Sequence, residues 1–116
     1  MQYLLLIYRN EAEMMALSDA ERTAMTAEYG VFTQGIIQSG HYKGGERLHP
    51  VAASTTVRVR NGKTLTTDGP FAETREQLGG YYMIEAKDLD EASAIAARIP
   101  GARDGTIEVR PVWAMS

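Results

Sequence analysis

Gln2-Tyr3-Leu4-Leu5-Leu6-Ile7-Tyr8 is apolar on both parities, with Tyr3, Leu5 and Ile7 on one side and Leu4, Leu6 and Tyr8 on the other. A strand buried on both faces reads this way. Gly80 to Glu85 repeats the pattern, Tyr81 and Met83 opposing Tyr82 and Ile84. Two other stretches alternate instead. In Ser54 to Arg60, Thr55, Val57 and Val59 are expected inward and Thr56, Arg58 and Arg60 outward; in Thr106 to Trp113, Ile107, Val109 and Trp113 oppose Glu108 and Arg110. Doubly apolar strands suit the centre of a sheet, and alternating strands suit its edges.

Between these strands lie two helix signals. Ser18-Asp19-Ala20-Glu21 is a capping box that predicts a helix to about Ser39, stopped by Gly40. Its expected inward row is Ala20, Ala24, Ala27 and Val31, widened by Phe32 and Ile36. Asp88, with Glu91 at N3, starts a second helix that carries Ala92, Ile95, Ala96 and Ile99 inward and ends before Pro100-Gly101. Asn61-Gly62 supplies a type I′ turn, so the strand from Ser54 returns through Lys63 to Thr67 as a hairpin. The order strand, helix, strand with hairpin return, strand, helix, strand is the ferredoxin-like βαββαβ arrangement, α+β with an antiparallel sheet and an extra β-hairpin. Pro111 is tolerated because its strand is an edge.

Two helices cover one face of a four-stranded sheet. The other face would carry large apolar side chains from both central strands, more than a monomer comfortably exposes. A homodimer packed sheet against sheet, with a cavity left near the strands, is the expected remedy.

Composition narrows the function. The chain has 116 residues, the length of one domain, so residues 1–116 are read as a single unit. The absence of cysteine excludes a disulfide framework, a thiol nucleophile and a zinc site with sulfur ligands. A net charge of −3 argues against nucleic acid as a partner. The first apolar run is too short for a membrane span or a signal peptide, which makes a cytoplasmic protein without membrane contact the expectation.

Thr67-Asp68-Gly69-Pro70-Phe71-Ala72-Glu73-Thr74-Arg75-Glu76-Gln77-Leu78-Gly79-Gly80-Tyr81-Tyr82 is the densest polar constellation. It reads as a strand end, a turn, and a short helix opened by Pro70 at its first position. Asp68 can accept backbone amides there, and a cap is the commoner role for such an aspartate. Of the two histidines, His41 follows the first helix and His49 precedes the second strand, where either is a candidate general base. His49 and Asp68 flank the same hairpin at ends that can approach. Tyr81 and Tyr82 invite comparison with base-stacking aromatics, but the flanking Lys/Arg pattern is missing and packing is the simpler reading. His41, Glu46, His49 and Asp68 match no metal-ligand spacing, so neither metal nor cofactor is expected.

This segment, with Thr56-Val57-Arg58, Asn61-Gly62 and Ile107-Glu108-Val109-Arg110-Pro111, resembles the signature of the YCII-related, or DGPF-type, proteins over nearly the whole chain. The resemblance implies a dimeric α/β-barrel assembly of ferredoxin-like subunits. It also implies association with extracytoplasmic-function sigma factors, and, in a few relatives, cofactor-free lyase chemistry through a His–Asp pair whose histidine lies in the first helix. Asp19 to Ser39 contains no histidine.

Together these readings point to recognition of a small organic acid or phenol beside the open sheet face, with cofactor-free acid/base conversion as its extension. Asp68 and His49 would handle protons, and Arg75 or Arg58 would pair with a ligand carboxylate. Phe71, Glu73, Tyr81 and Tyr82 complete the candidate binding set. The alternative is a non-catalytic regulatory partner that meets a sigma factor through Asp68 to Gln77.

Overall fold

Both strands that read apolar on two faces lie at the centre of the sheet. The computed structural model describes residues 1–114. In chain order the elements are β1 (Gln2–Arg9), α1 (Glu11–Met15), α2 (Asp19–Gln38), β2 (Tyr42–Arg47), β3 (Thr55–Arg60), β4 (Lys63–Asp68), β5 (Gln77–Glu85), α3 (Leu89–Ala97) and β6 (Thr106–Pro111). The main sheet runs β2-β5-β1-β6 with every pair antiparallel. This is the expected α+β, ferredoxin-like arrangement.

One edge strand differs from the sequence reading. β2 is Tyr42-Lys43-Gly44-Gly45-Glu46-Arg47, whereas Thr55–Arg60 pairs only with Lys63–Asp68 as a separate two-stranded sheet. Two adjacent glycines and three charged residues give β2 almost no β-propensity of its own. Its place follows from a close approach to β5 that a side chain would obstruct. A Cβ at Gly45 would lie 2.9 Å from the Tyr81 carbonyl oxygen, and one at Gly80 would lie 2.9 Å from that of Glu46.

Parity sorts the side chains into layers, because paired residues project to the same side of a sheet. Tyr3, Leu5, Ile7, Tyr82 and Ile84 are buried beneath α2 and α3 with Phe32, Ile36, Ala92, Ile95, Ala96 and Ile99. Phe32 meets Tyr82 edge to face at 5.2 Å. The α3 face is as expected, but the α2 face is rotated. Ala20, Ala24, Ala27 and Val31 are exposed, and Met25, Tyr29, Phe32, Thr33 and Ile36 turn inward. The larger side chains on the second row remove more apolar area from water, and that outweighs a longer run of alanines.

Capping sets the ends of the helices. Ser18 Oγ accepts from the Glu21 amide at 3.1 Å, and the Glu21 carboxylate accepts from the Ser18 amide at 2.9 Å. Asp88 caps α3 through the Glu91 amide at 2.9 Å. α1 is an element the sequence reading passed over, although Asn10 announces it: its side chain accepts from the Glu13 amide at 3.0 Å. Asn61 and Gly62 take φ of 52° and 73°, as a type I′ turn requires. No helix follows Pro70; residues 69–76 are irregular and connect β4 to β5. Thr74 and Gln77 fold that stretch on itself, since Gln77 Nε2 donates to the Thr74 carbonyl at 2.6 Å.

Candidate functional site

The side of the sheet away from the helices is open. Register places Gly44, Met83, Leu4 and Arg110 in one row across it, then Glu46, Tyr81, Leu6 and Glu108, then Leu78, Tyr8 and Thr106. Leu4, Leu6, Tyr8, Leu78, Tyr81 and Met83 are half-buried by one another, and no helix lies over them. Glu46, Glu108 and Arg110 edge this apolar surface, with Arg110 and Glu108 forming an ion pair.

At the end of the sheet where β1 finishes and β5 begins, the side chains of Asn10, Glu11 and Gln77 tie the start of α1 to β5 and to the loops on either side of the hairpin. Asn10 Nδ2 donates to the Arg75 carbonyl at 3.2 Å, and Gln77 Oε1 accepts from the Glu11 amide at 2.9 Å. The Glu11 carboxylate accepts from the Val51 amide at 3.0 Å. The foot of the hairpin is closed by Gly69 N donating to the Ser54 carbonyl at 2.7 Å and Thr56 Oγ1 donating to the Gly69 carbonyl at 2.8 Å. Gly69 has φ +99°, a left-handed conformation that suits glycine.

The residues singled out in the sequence distribute around this end. Asp68 closes β4 opposite Thr55, and its side chain is exposed. His49 is exposed in the loop after β2, and no hydrogen bond joins it to Asp68. Phe71, Glu73 and Arg75 are exposed in the connection to β5, Phe71 at 79% of its surface. Arg58 is exposed on the hairpin. Tyr81 contributes to the open face. Tyr82 points the other way, into the core, where its hydroxyl meets Thr33 Oγ1 at 2.7 Å and burial pushes the phenol pKa up. Trp113, expected inward, is 91% exposed beside Met1 and Val112 at the opposite end of the sheet.

One polar chain escaped the sequence reading. His41 Nδ1 lies 2.6 Å from Ser39 Oγ, and its Nε2 lies 3.3 Å from Glu91 Oε1. The Glu91 carboxylate also accepts the Lys87 amide, and that bond, helped by His41, holds its pKa below the usual glutamate range. His41 thus ties the C-terminus of α2 to the N-terminus of α3. A histidine two residues past a helix-ending serine is the sequence signal for the first contact; the second depends on tertiary placement.

Arg9 lies under α1, where it pairs with Asp104 at 2.6 Å and touches Met25 Sδ at 2.9 Å. Tyr29 is close by, its pKa raised by burial against the opposing pull of Arg9. Among the described residues, no three His, Asp or Glu side chains gather to hold a metal ion, and no helix is long and apolar enough to cross a membrane.

A family model for the YCII-related domain matches residues 1–116. The chain is similar to an uncharacterized protein of Rhizobium meliloti (strain 1021), 36% identical over 114 residues, a span of 97% of this chain and 92% of the relative. A match along the whole chain, with the ferredoxin-like sheet beneath it, places this protein in the YCII-related family.

Proposed function

We propose that the protein is a homodimeric small-molecule-binding protein in which two copies face each other across their open sheets and the ligand sits in the cleft between them. The observation that carries this reading is the apolar surface of Leu4, Leu6, Tyr8, Leu78, Tyr81 and Met83, a contiguous patch of the kind that marks interfaces and ligand grooves. A second copy is the occupant that suits it best. The patch has an apolar centre and charged margins in Glu46, Glu108 and Arg110, and a two-fold axis lets it cover itself.

Within that cleft a small organic acid or phenol would meet Tyr81 and Tyr8 as ring-stacking surfaces, and Arg75 or Arg58 would pair with its carboxylate. Asp68 and His49 are the groups available for proton transfer. Their exposure in the single chain favours binding over turnover as the primary role, and the reading needs neither metal nor cofactor. The second reading, contact with a sigma factor through Asp68 to Gln77, is favoured by the exposed Phe71 ring, an anchor of the sort protein partners use.

A thermal-shift screen against small carboxylates and phenols, on the parent protein and on Asp68→Asn, tests the proposal. A ligand that binds only the folded form raises its stability by about 2.7 kcal/mol at a hundredfold excess over Kd. The expected result is a concentration-dependent rise that is weakened by Asp68→Asn. No response across the panel, together with capture of a sigma factor that is lost in Phe71→Ala, would replace this reading with the second.

A further inference from the structure

Among the described residues, the β3–β4 hairpin makes no extended contact with another element of its own chain. Its strands are exposed almost throughout, and no helix or other strand packs along them. A lone two-stranded hairpin is marginal in water, so one that stands out from the body is expected to be covered.

Its two faces differ. Val57 and Val59 share one face with Thr64 and Thr66, and both valines are more than half exposed. Arg58, Arg60 and Lys63 share the other with Leu65, which pairs with Arg58. These three cations outweigh the one carboxylate, Asp68, in a chain whose net charge is −3, so a positive hairpin projects from a body more acidic than the chain as a whole.

The bonds at Gly69 and Thr56 close the hairpin's own foot, and the segments on either side of it are held at the end of the sheet by Glu11, which accepts from the Val51 amide, and by Asn10, which donates to the Arg75 carbonyl. The molecule measures 48 × 47 × 19 Å, so the hairpin extends sideways within the existing layers and adds no third one. A hairpin lying beside the open face leaves that face free for a second copy.

We infer that the β3–β4 hairpin is an exchanged arm, which lies on the second copy of this chain with its Val57–Val59 face covered and its Arg58–Arg60 face turned outward. This rests on the homodimer proposed above. Opposite charge on arm and body steers the arm to a copy of this chain and excludes like-charged misplacement.

The double substitution Val57→Asp with Val59→Asp tests the arm by sedimentation and circular dichroism. The expected result is a dimer dissociation constant raised at least about tenfold, with the spectrum and the unfolding of the dissociated chain unchanged. Because the chain has no cysteine, a spin label at Thr64→Cys can be placed without background. In mixed dimers with an isotope-labelled, unmodified copy, it should broaden amide signals of that copy. A dimeric parent with an unchanged dissociation constant in the double variant, or with no broadening across the subunits, overturns the arm and leaves the dimer standing. A monomeric parent overturns both.

Discussion

Tyr82 and Tyr81 are neighbours in sequence and opposites in role, and replacing each by phenylalanine separates those roles. Tyr82 donates to Thr33 Oγ1, which in turn donates to the Tyr29 carbonyl at 2.8 Å. Tyr82→Phe removes the donor from a buried chain and should cost about 1 kcal/mol in urea unfolding, while the ring stays against Phe32. Tyr81→Phe should leave that midpoint unchanged. Ser18→Ala removes a cap whose two halves are both formed and should cost about 1 kcal/mol as well, read as a lower thermal midpoint. The pH dependence follows from two carboxylates. Glu21, through the Ser18 amide, and Glu91, through the Lys87 amide, both have lowered pKa values. A lowered folded-state pKa adds stability that is complete above the ordinary glutamate value of about 4.3 and is lost as pH falls through the folded value. Glu91→Gln should therefore lower the urea midpoint on the neutral side toward its acid value, and leave the most acid points, where Glu91 is protonated in the parent, unchanged.

At the scale of elements, β2 shows where tertiary fit replaces local preference. Gly45→Ala should drive a methyl group against the Tyr81 carbonyl and the Tyr82 ring, at 2.9 and 3.0 Å, and separate β2 from β5. The expected sign is early hydrogen exchange in β2 while β1 and β5 stay protected. The same element marks the limit of what the sequence discloses. The central strands, both long helices and the hairpin turn are legible because each carries a local pattern: apolar residues on both parities, a capping box, an Asn-Gly pair. Tyr42–Arg47 carries none, since its strand state depends on backbone contact with a partner more than thirty residues away. The rotation of α2 was hidden for a related reason. Two rows on that helix are apolar enough to face a core, and the choice between them was made by the sheet's need for Phe32 and Ile36. In the candidate site, the residue types of the Asp68 segment were legible, but their exposure was not, because nothing local tells an open loop from one that closes over a pocket.

At the scale of the whole molecule, the radius of gyration is 16.2 Å, whereas a compact chain of this length has about 13 Å. The excess has two physical sources: a sheet covered on one side only, and a hairpin that makes no extended contact with another element among the described residues. Both are the features on which the proposed homodimer rests. A charge placed at the middle of the open face should undo that completion without unfolding the subunit, since Leu6 lies outside the helix-covered core. Leu6→Glu is expected to give a folded chain of half the parent's mass, with the parent's far-ultraviolet spectrum. The most direct test is the mass of the parent protein itself, measured by light scattering at micromolar concentration. The account predicts twice the chain mass, falling toward the single-chain value on dilution; the single-chain mass throughout the micromolar range would contradict it.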